Sequence, residues 1–180
     1  QALQDAVLPH GLFYPPDPAS VRSSTLGGNV AECAGGLSAV KYGVTKHYVL
    51  GLRFVLPDGR IAEVGGKTVK NVAGYDLIGL LVGSEGTLAV FTRFTLKLLP
   101  LPEARRTLLV AYAGVEEAGA SVSGIIRARV IPTALELMDR ASIDAVEQIM
   151  PFGIPAGARA LLLVELDGKP ADVAADEAAL

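Results

Sequence analysis

Fourteen consecutive residues constrain this chain more than any others: Ser23-Ser24-Thr25-Leu26-Gly27-Gly28-Asn29-Val30-Ala31-Glu32-Cys33-Ala34-Gly35-Gly36. Two glycine pairs bracket a short apolar segment, and a third small turn, Tyr42-Gly43, follows closely. Glycine permits positive φ and lets another atom approach the backbone. The pattern therefore predicts a loop, about one turn of helix, and a second tight turn. Such a backbone either offers N–H groups to a negative or polar partner or serves only as a turn of the fold. Composition alone leaves both readings open.

The order of elements around this stretch reads from hydrophobic periodicity. Residues 1–20 are a short helical or irregular lead-in and a stiff connector, because Pro15, Pro16 and Pro18 exclude regular helix and central strand. Tyr48 to Leu56 alternates as a strand, with Tyr48, Leu50, Leu52, Phe54 and Leu56 on one face. Pro57-Asp58-Gly59 is a turn, and Ile61–Val64 is the returning arm of a hairpin. Asp76 to Val82 predicts a short helix with Leu77, Leu80 and Leu81 inward and Gly83 as its stop. From Gly86 a long strand is expected. Leu88, Val90, Phe94, Leu96 and Leu98 share one face, interrupted by Thr92, and Arg93, Thr95 and Lys97 form a wet face.

Leu99-Pro100-Leu101-Pro102 breaks this plan and suits a domain junction. Beyond it, strands at 107–112, 134–138 and 158–166 alternate with helices at 115–129 and 142–150 and a further helix from Asp172. The inward positions predicted on the helices are Val122, Ile125 and Ile126, then Ile143, Val146 and Ile149. The alternation suggests a ferredoxin-like or similar α/β sandwich, unfinished at Leu180.

Several function classes are excluded. Net charge is −3 and tryptophan is absent, so there is no basic, aromatic-interleaved surface for nucleic acid. Cys33 is the single cysteine, which rules out an internal disulfide framework and suits a reducing compartment. No apolar run approaches the ~20 residues of a membrane helix. No G-x-G-x-x-G occurs. Gly65-Gly66-Lys67-Thr68 imitates the end of a P-loop, but Ile61 stands where the first glycine is required. The two histidines make no metal-ligand cluster. The start at Gln1 and the end at Leu180 both read as cuts, so a fragment of a longer chain is expected.

A second glycine-containing turn, Gly83-Ser84-Glu85-Gly86-Thr87-Leu88, adds a specific order of motifs. It joins Tyr14-Pro15-Pro16-Asp17-Pro18 ahead of the first loop and Lys70-Asn71-Val72-Ala73-Gly74-Tyr75-Asp76-Leu77 behind it. In this order the chain resembles the FAD-linked oxidases of the vanillyl-alcohol oxidase type. The group it resembles holds the glycolate oxidase D subunit and the D-lactate and D-2-hydroxyglutarate dehydrogenases. The resemblance covers nearly the whole chain. It implies an α+β fold: the second half of a vanillyl-alcohol-oxidase-type FAD-binding domain over 1–100, an antiparallel-rich sheet with short helices, then the truncated start of a substrate domain over 101–180.

The resemblance implies FAD as cofactor. It brings Pro16, Ser24, Thr25, Gly27, Gly28 and Asn29 to the flavin and pyrophosphate, and continues that wall through Ala31, Glu32, Ala34, Gly35, Gly36, Tyr42 and Gly43. Glu85, Gly86, Leu88 and Val90 are expected at the adenine-ribose end, so that the two segments line opposite ends of one slot. The family's Pro-Gly-Gly pyrophosphate loop, which lies upstream, has no counterpart before Tyr14, where Gly11 is the only glycine. The implied reaction is oxidation of a small D-2-hydroxy acid, with hydride passing to flavin N5. The catalytic base and the histidine-rich metal motif are expected downstream of Leu180, so no metal ligand is assigned here. A same-fold flavoenzyme acting on an aldonolactone or an ether-lipid precursor, and a non-catalytic subunit of the glycolate oxidase E type, are the alternatives. Implied partners are the substrate, further subunits or an electron acceptor. A cytoplasmic protein, with peripheral contact at the inner membrane as a variant, completes the expectation. His47 stands as a base, a flavin anchor or a packing residue, and Lys70 as a carboxylate ligand or a solvated loop residue.

Overall fold

The hairpin at 49–65 anchors the first half of the chain. Its turn is built by Asp58: the Arg60 amide donates to Asp58 Oδ1 (3.1 Å) and Arg60 Nε to Oδ2 (2.7 Å), while Gly59 takes φ +85°. These bonds hold the Asp58 carboxyl below its usual range, the backbone amide being the larger cause. The computed structural model describes residues 1–180, which form two compact units, Gln1–Leu101 and Pro102–Leu180.

In the first unit, β1 is Leu12–Phe13, β2 Val49–Val55, β3 Ile61–Gly65, β4 Val90–Leu96 and β5 Leu99–Pro100; the helices are α1 (Ala2–Val7), α2 (Leu26–Ala31), α3 (Ala39–Tyr42) and α4 (Leu77–Leu81). Strands β3, β2 and β4 make an antiparallel sheet in that order, and β1 pairs with β5. One face of the sheet carries the core: Val30 from α2, Val49, Leu52 and Phe54 from β2, and Leu81, Val82 and Ala89.

Two bulges correct the expected faces. Val49 pairs with Leu96 but Gly51 with Thr95, so Leu50 is the extra residue on β2. Each extra residue exchanges the two faces of a strand. Val49, expected opposite Leu52, is therefore buried with it. Arg53 pairs with Arg93 but Phe54 with Phe91, so Thr92 is the extra residue on β4. Its hydroxyl donates to the Arg53 carbonyl at 3.1 Å. Phe91 and Phe94, three apart, thus both pack on the core, while Val90 and Leu88, expected to join Phe94, are exposed. The α4 stripe also differs. Asp76 caps the helix by accepting from the Gly79 amide (2.8 Å) and sets its rotation so that Ile78, Leu81 and Val82 face the core, with Leu77 and Leu80 outward.

In the second unit β6 is Ala104–Tyr112, β7 Ala134–Asp139 and β8 Ala160–Gly168; α5 is Val115–Arg127, α6 Arg140–Ile149 and α7 Pro170–Ala179. The sheet order is β6-β8-β7, with β8 antiparallel to both neighbours. The unbroken run Leu161-Leu162-Leu163-Val164 suits this central strand, and Leu161 and Leu162, on opposite faces, are both buried. Val122 and Ile125 of α5 and Ile143 of α6 face inward as expected. Ile126 and Ile149 do not: Ile126 lies off the narrow apolar stripe, and Ile149 is 86% exposed at the helix end, where Glu147 turns back to accept the Phe152 amide.

Candidate cofactor site

The glycine-rich stretch folds as two tight structures joined by a left-handed residue. Thr25 caps α2 by accepting from the Gly28 amide at 3.0 Å. The helix runs over the first glycine pair because this cap offsets the weak helical preference of Gly27-Gly28. Cys33 then takes φ +53°, and the Ala34 amide returns to the Asn29 carbonyl at 2.8 Å.

The second turn is held from outside by Thr45 and Asp17. Fully buried Thr45 donates both its hydroxyl (2.7 Å) and its amide (3.1 Å) to the Ala34 carbonyl. Asp17 accepts from the Ser38 hydroxyl at 2.7 Å and the Ser38 amide at 3.2 Å. A Cβ on Gly36 would overlap the Asp17 carboxylate and stand 2.5 Å from its backbone C and O. Gly43 has φ +78°, and a Cβ there would overlap His47 Nδ1, which accepts from the Val44 amide at 3.1 Å. His47 is thus a local cap. Tyr48 donates to the Tyr42 carbonyl at 2.7 Å and packs edge-on against Tyr14 at 5.9 Å. Burial pushes both phenols above their ordinary value. Ser38 and Thr45 were given no role in the sequence, and Asp17 stood there only within the Tyr14–Pro18 motif; an acidic residue set among prolines was the one available signal.

The turn after α4 lies directly against α2. The Gly83 amide donates to the Val30 carbonyl (3.1 Å) and the Glu85 amide to the Ala31 carbonyl (2.9 Å). Glu85 and Gly86 are both left-handed, at φ +54° and +75°, and Thr87 closes the turn on the Ser84 carbonyl through its amide and hydroxyl. Residues 24–36 and 84–88 therefore form one contiguous ridge. The two segments expected at opposite ends of a slot adjoin at the Val30–Gly83 and Ala31–Glu85 bonds.

A cleft of about 240 Å³ flanks this ridge. Pro16, Ser24, Thr25 and Asn29 line it with Gln4 and Tyr14; Glu85, Gly86, Leu88 and Val90 do not. Four hydroxyls are buried without a hydrogen-bond partner: Ser24 Oγ and Tyr14 Oη on residues that line the cleft, Ser84 Oγ in the turn, and Thr133 Oγ1 in the second unit. Orphaned donors of this kind fit a polar ligand along the ridge. Lys70 and Tyr75 lie apart from the cleft. Tyr75 is 96% exposed and lines a separate cavity of about 520 Å³ under the 68–78 loop.

Two family matches define the class. Residues 1–65 match the FAD binding domain family, and residues 101–180 match the FAD linked oxidases, C-terminal domain family. The chain belongs to the FAD-linked oxidases. Within that class it is 50% identical over 163 residues to the glycolate oxidase subunit GlcD of Bacillus subtilis, covering 91% of this chain and 35% of that protein. It is 45% identical to GlcD of Escherichia coli over 97% of this chain and 35% of that protein. It is also 45% identical to the D-lactate dehydrogenase of Archaeoglobus fulgidus, over 82% of this chain and 33% of that protein. The chain thus spans about a third of the length of these relatives. A solved alkyldihydroxyacetonephosphate synthase superimposes over 98% of this chain and 35% of its own with a TM-score of 0.83 at 23% identity, a likeness of fold. No helix is long and apolar enough to cross a membrane.

Proposed function

We propose that this chain is part of an FAD-dependent dehydrogenase or oxidase of a small D-2-hydroxy acid such as glycolate or D-lactate. The support is twofold: the identity to glycolate oxidase and D-lactate dehydrogenase chains, and a ridge of small residues carrying orphaned hydroxyls. Residues 1–100 would be the later part of the FAD-binding domain, and 101–180 the opening of a ferredoxin-like substrate domain. The helix-linked β6-β8-β7 sheet is compatible with that second assignment.

Pro16, Ser24, Thr25, Gly27, Gly28, Asn29, Ala31, Glu32, Ala34 and Gly35 would form the wall beside the cofactor, with Glu85, Gly86, Leu88 and Val90 extending it past the Ala31–Glu85 bond. Gly36, Tyr42 and Gly43 act one step back, since their contacts with Asp17, Tyr48 and His47 fix the shape of that wall. Ser24 would donate from the cleft, and each charge-assisted bond to a phosphate contributes roughly 1.5–3 kcal/mol. Bound FAD would supply the hydride acceptor at N5. This segment's own part is to bind and orient; the group that takes the hydroxyl proton lies elsewhere in the longer protein. Partner subunits, a separate electron acceptor and a cytoplasmic place beside the inner membrane belong to the same proposal.

The test is the visible spectrum of the longer protein that contains this segment. A flavin band that bleaches on adding glycolate or D-lactate is expected. A colourless protein, or a flavin that neither acid reduces, would refute the proposal.

A further inference from the structure

We propose a small-oxyanion site on the outer face of the β3-β2-β4 sheet, held by Arg93 and Arg53 and taking a single carboxylate or phosphate group. The two arginines are direct cross-strand partners in the β2-β4 ladder. Like charges in that position are destabilising, and only one of them is neutralised. Arg53 Nε lies 3.3 Å from Glu63 Oε1 on its other side, whereas exposed Arg93 has no ion pair. The row Glu63–Arg53–Arg93 therefore carries one uncompensated positive charge.

Beside the two guanidinium groups the sheet carries no long side chain: Gly51 and Gly65 are register partners, and the open space lies at Gly66, where a methyl would meet nothing within 4 Å, while Gly65 is closed by the Leu50 carbonyl and Ile78. Together with Thr95, the two arginines and Glu63 these residues line an open recess of about 100 Å³, so the Glu63 carboxylate borders the site and Arg93 supplies its net positive charge. That volume admits one carboxylate or one phosphate group and is far too small for a dinucleotide. It shares no lining residue with the cleft at Ser24. Arg93 points away from Phe94, its neighbour in the core, so the recess lies on the opposite face of the sheet from α2 and the ridge. Guanidinium forks suit oxyanions because two N–H groups meet two oxygens. An oxyanion between Arg53 and Arg93 would turn their repulsion into a bridge.

The experiment is thermal melting of this chain in sodium phosphate, in sodium acetate and in sodium chloride of matched ionic strength and pH. Phosphate at ten times its dissociation constant is expected to raise the midpoint by about 3–6 °C over chloride. The acetate arm tells whether a carboxylate suffices. In Arg93→Glu, where opposite charges replace like ones, the midpoint in chloride is expected above that of the wild type, with no further rise from either oxyanion. Arg93→Gln asks the same question without reversing a charge. A wild-type midpoint equal in all three salts would overturn the proposal, as would a phosphate rise that survives in both variants.

Discussion

Gly36→Ala is the substitution whose consequence the structure sets most tightly. The new methyl would overlap the Asp17 carboxylate and stand 2.5 Å from Asp17 C and O, a backbone that cannot swing aside as a side chain can. Pro15, Pro16 and Pro18 stiffen that segment, and Pro15 and Pro16 are buried. The strain therefore falls on the two bonds from Ser38 to Asp17, of 2.7 and 3.2 Å. Overpacking of a closed site costs typically 1–3 kcal/mol, and a hydrogen bond to a charged group contributes roughly 1.5–3 kcal/mol. A combined loss of about 3 kcal/mol is expected. At about 2–4 °C per kcal/mol for a chain of this size, the melting midpoint should fall by about 6–12 °C. Circular dichroism on heating measures the fall, and hydrogen exchange at the Ser38 and Thr45 amides locates it. Gly66→Ala is the control, because a methyl there meets nothing within 4 Å; it should stay within about 0.5 kcal/mol of wild type. A Gly36→Ala chain that melts with the control would show that the Asp17 contact does not hold the second turn.

Two further outcomes follow from particular sites. Gly119 lies inside α5 with open space where a methyl would go, so Gly119→Ala should raise stability by about 0.5–1 kcal/mol, read from the urea midpoint. Asp139 caps α6 by accepting from the Ser142 amide at 2.8 Å, and that bond holds its carboxyl below the usual range. A depressed folded value means stability that is present above the unfolded value near 3.9 and is lost as pH falls through the folded one. Asp139→Ala should therefore be less stable than wild type at neutral pH. The difference should close below about pH 4, which a pair of urea titrations would detect; a pH-independent difference would contradict the cap.

Where each residue obeyed a local rule, the sequence was readable. Pro57 and Gly59 marked the hairpin turn, and 158–166 was readable as a strand, which the structure buries on both faces at Leu161 and Leu162. What stayed hidden was set by partners far along the chain. Thr92 was visible as an interruption, yet nothing local said that it was an inserted residue bonded to Arg53, 39 positions away. Leu88 and Val90, which precede it, were therefore assigned to the wrong face. The same holds for α4, whose rotation is fixed by the Asp76 cap and by packing under the sheet rather than by its own leucine spacing.

The glycines carry the sharpest form of this limit, and the structure now separates them. Gly36 and Gly43 lack side chains because Asp17 and His47 fill the space. Gly28 is crowded by its own cap, with Thr25 Oγ1 only 3.2 Å from where a methyl would sit. Those three are accounted for inside the fold, and their presence says nothing by itself about a ligand. Gly27 and Gly35 are different: a methyl would make ordinary contacts at 3.9 Å with Phe94 and 3.5 Å with Val44. Neither has a positive φ that would demand glycine. Gly86, which does, faces open space. If a cofactor lies on the ridge, Gly27 and Gly35 are where its close approach would explain the missing side chains. Alanine there should lower FAD affinity in the longer protein while leaving the melting midpoint of this segment nearly unchanged, whereas Gly36→Ala lowers the midpoint itself.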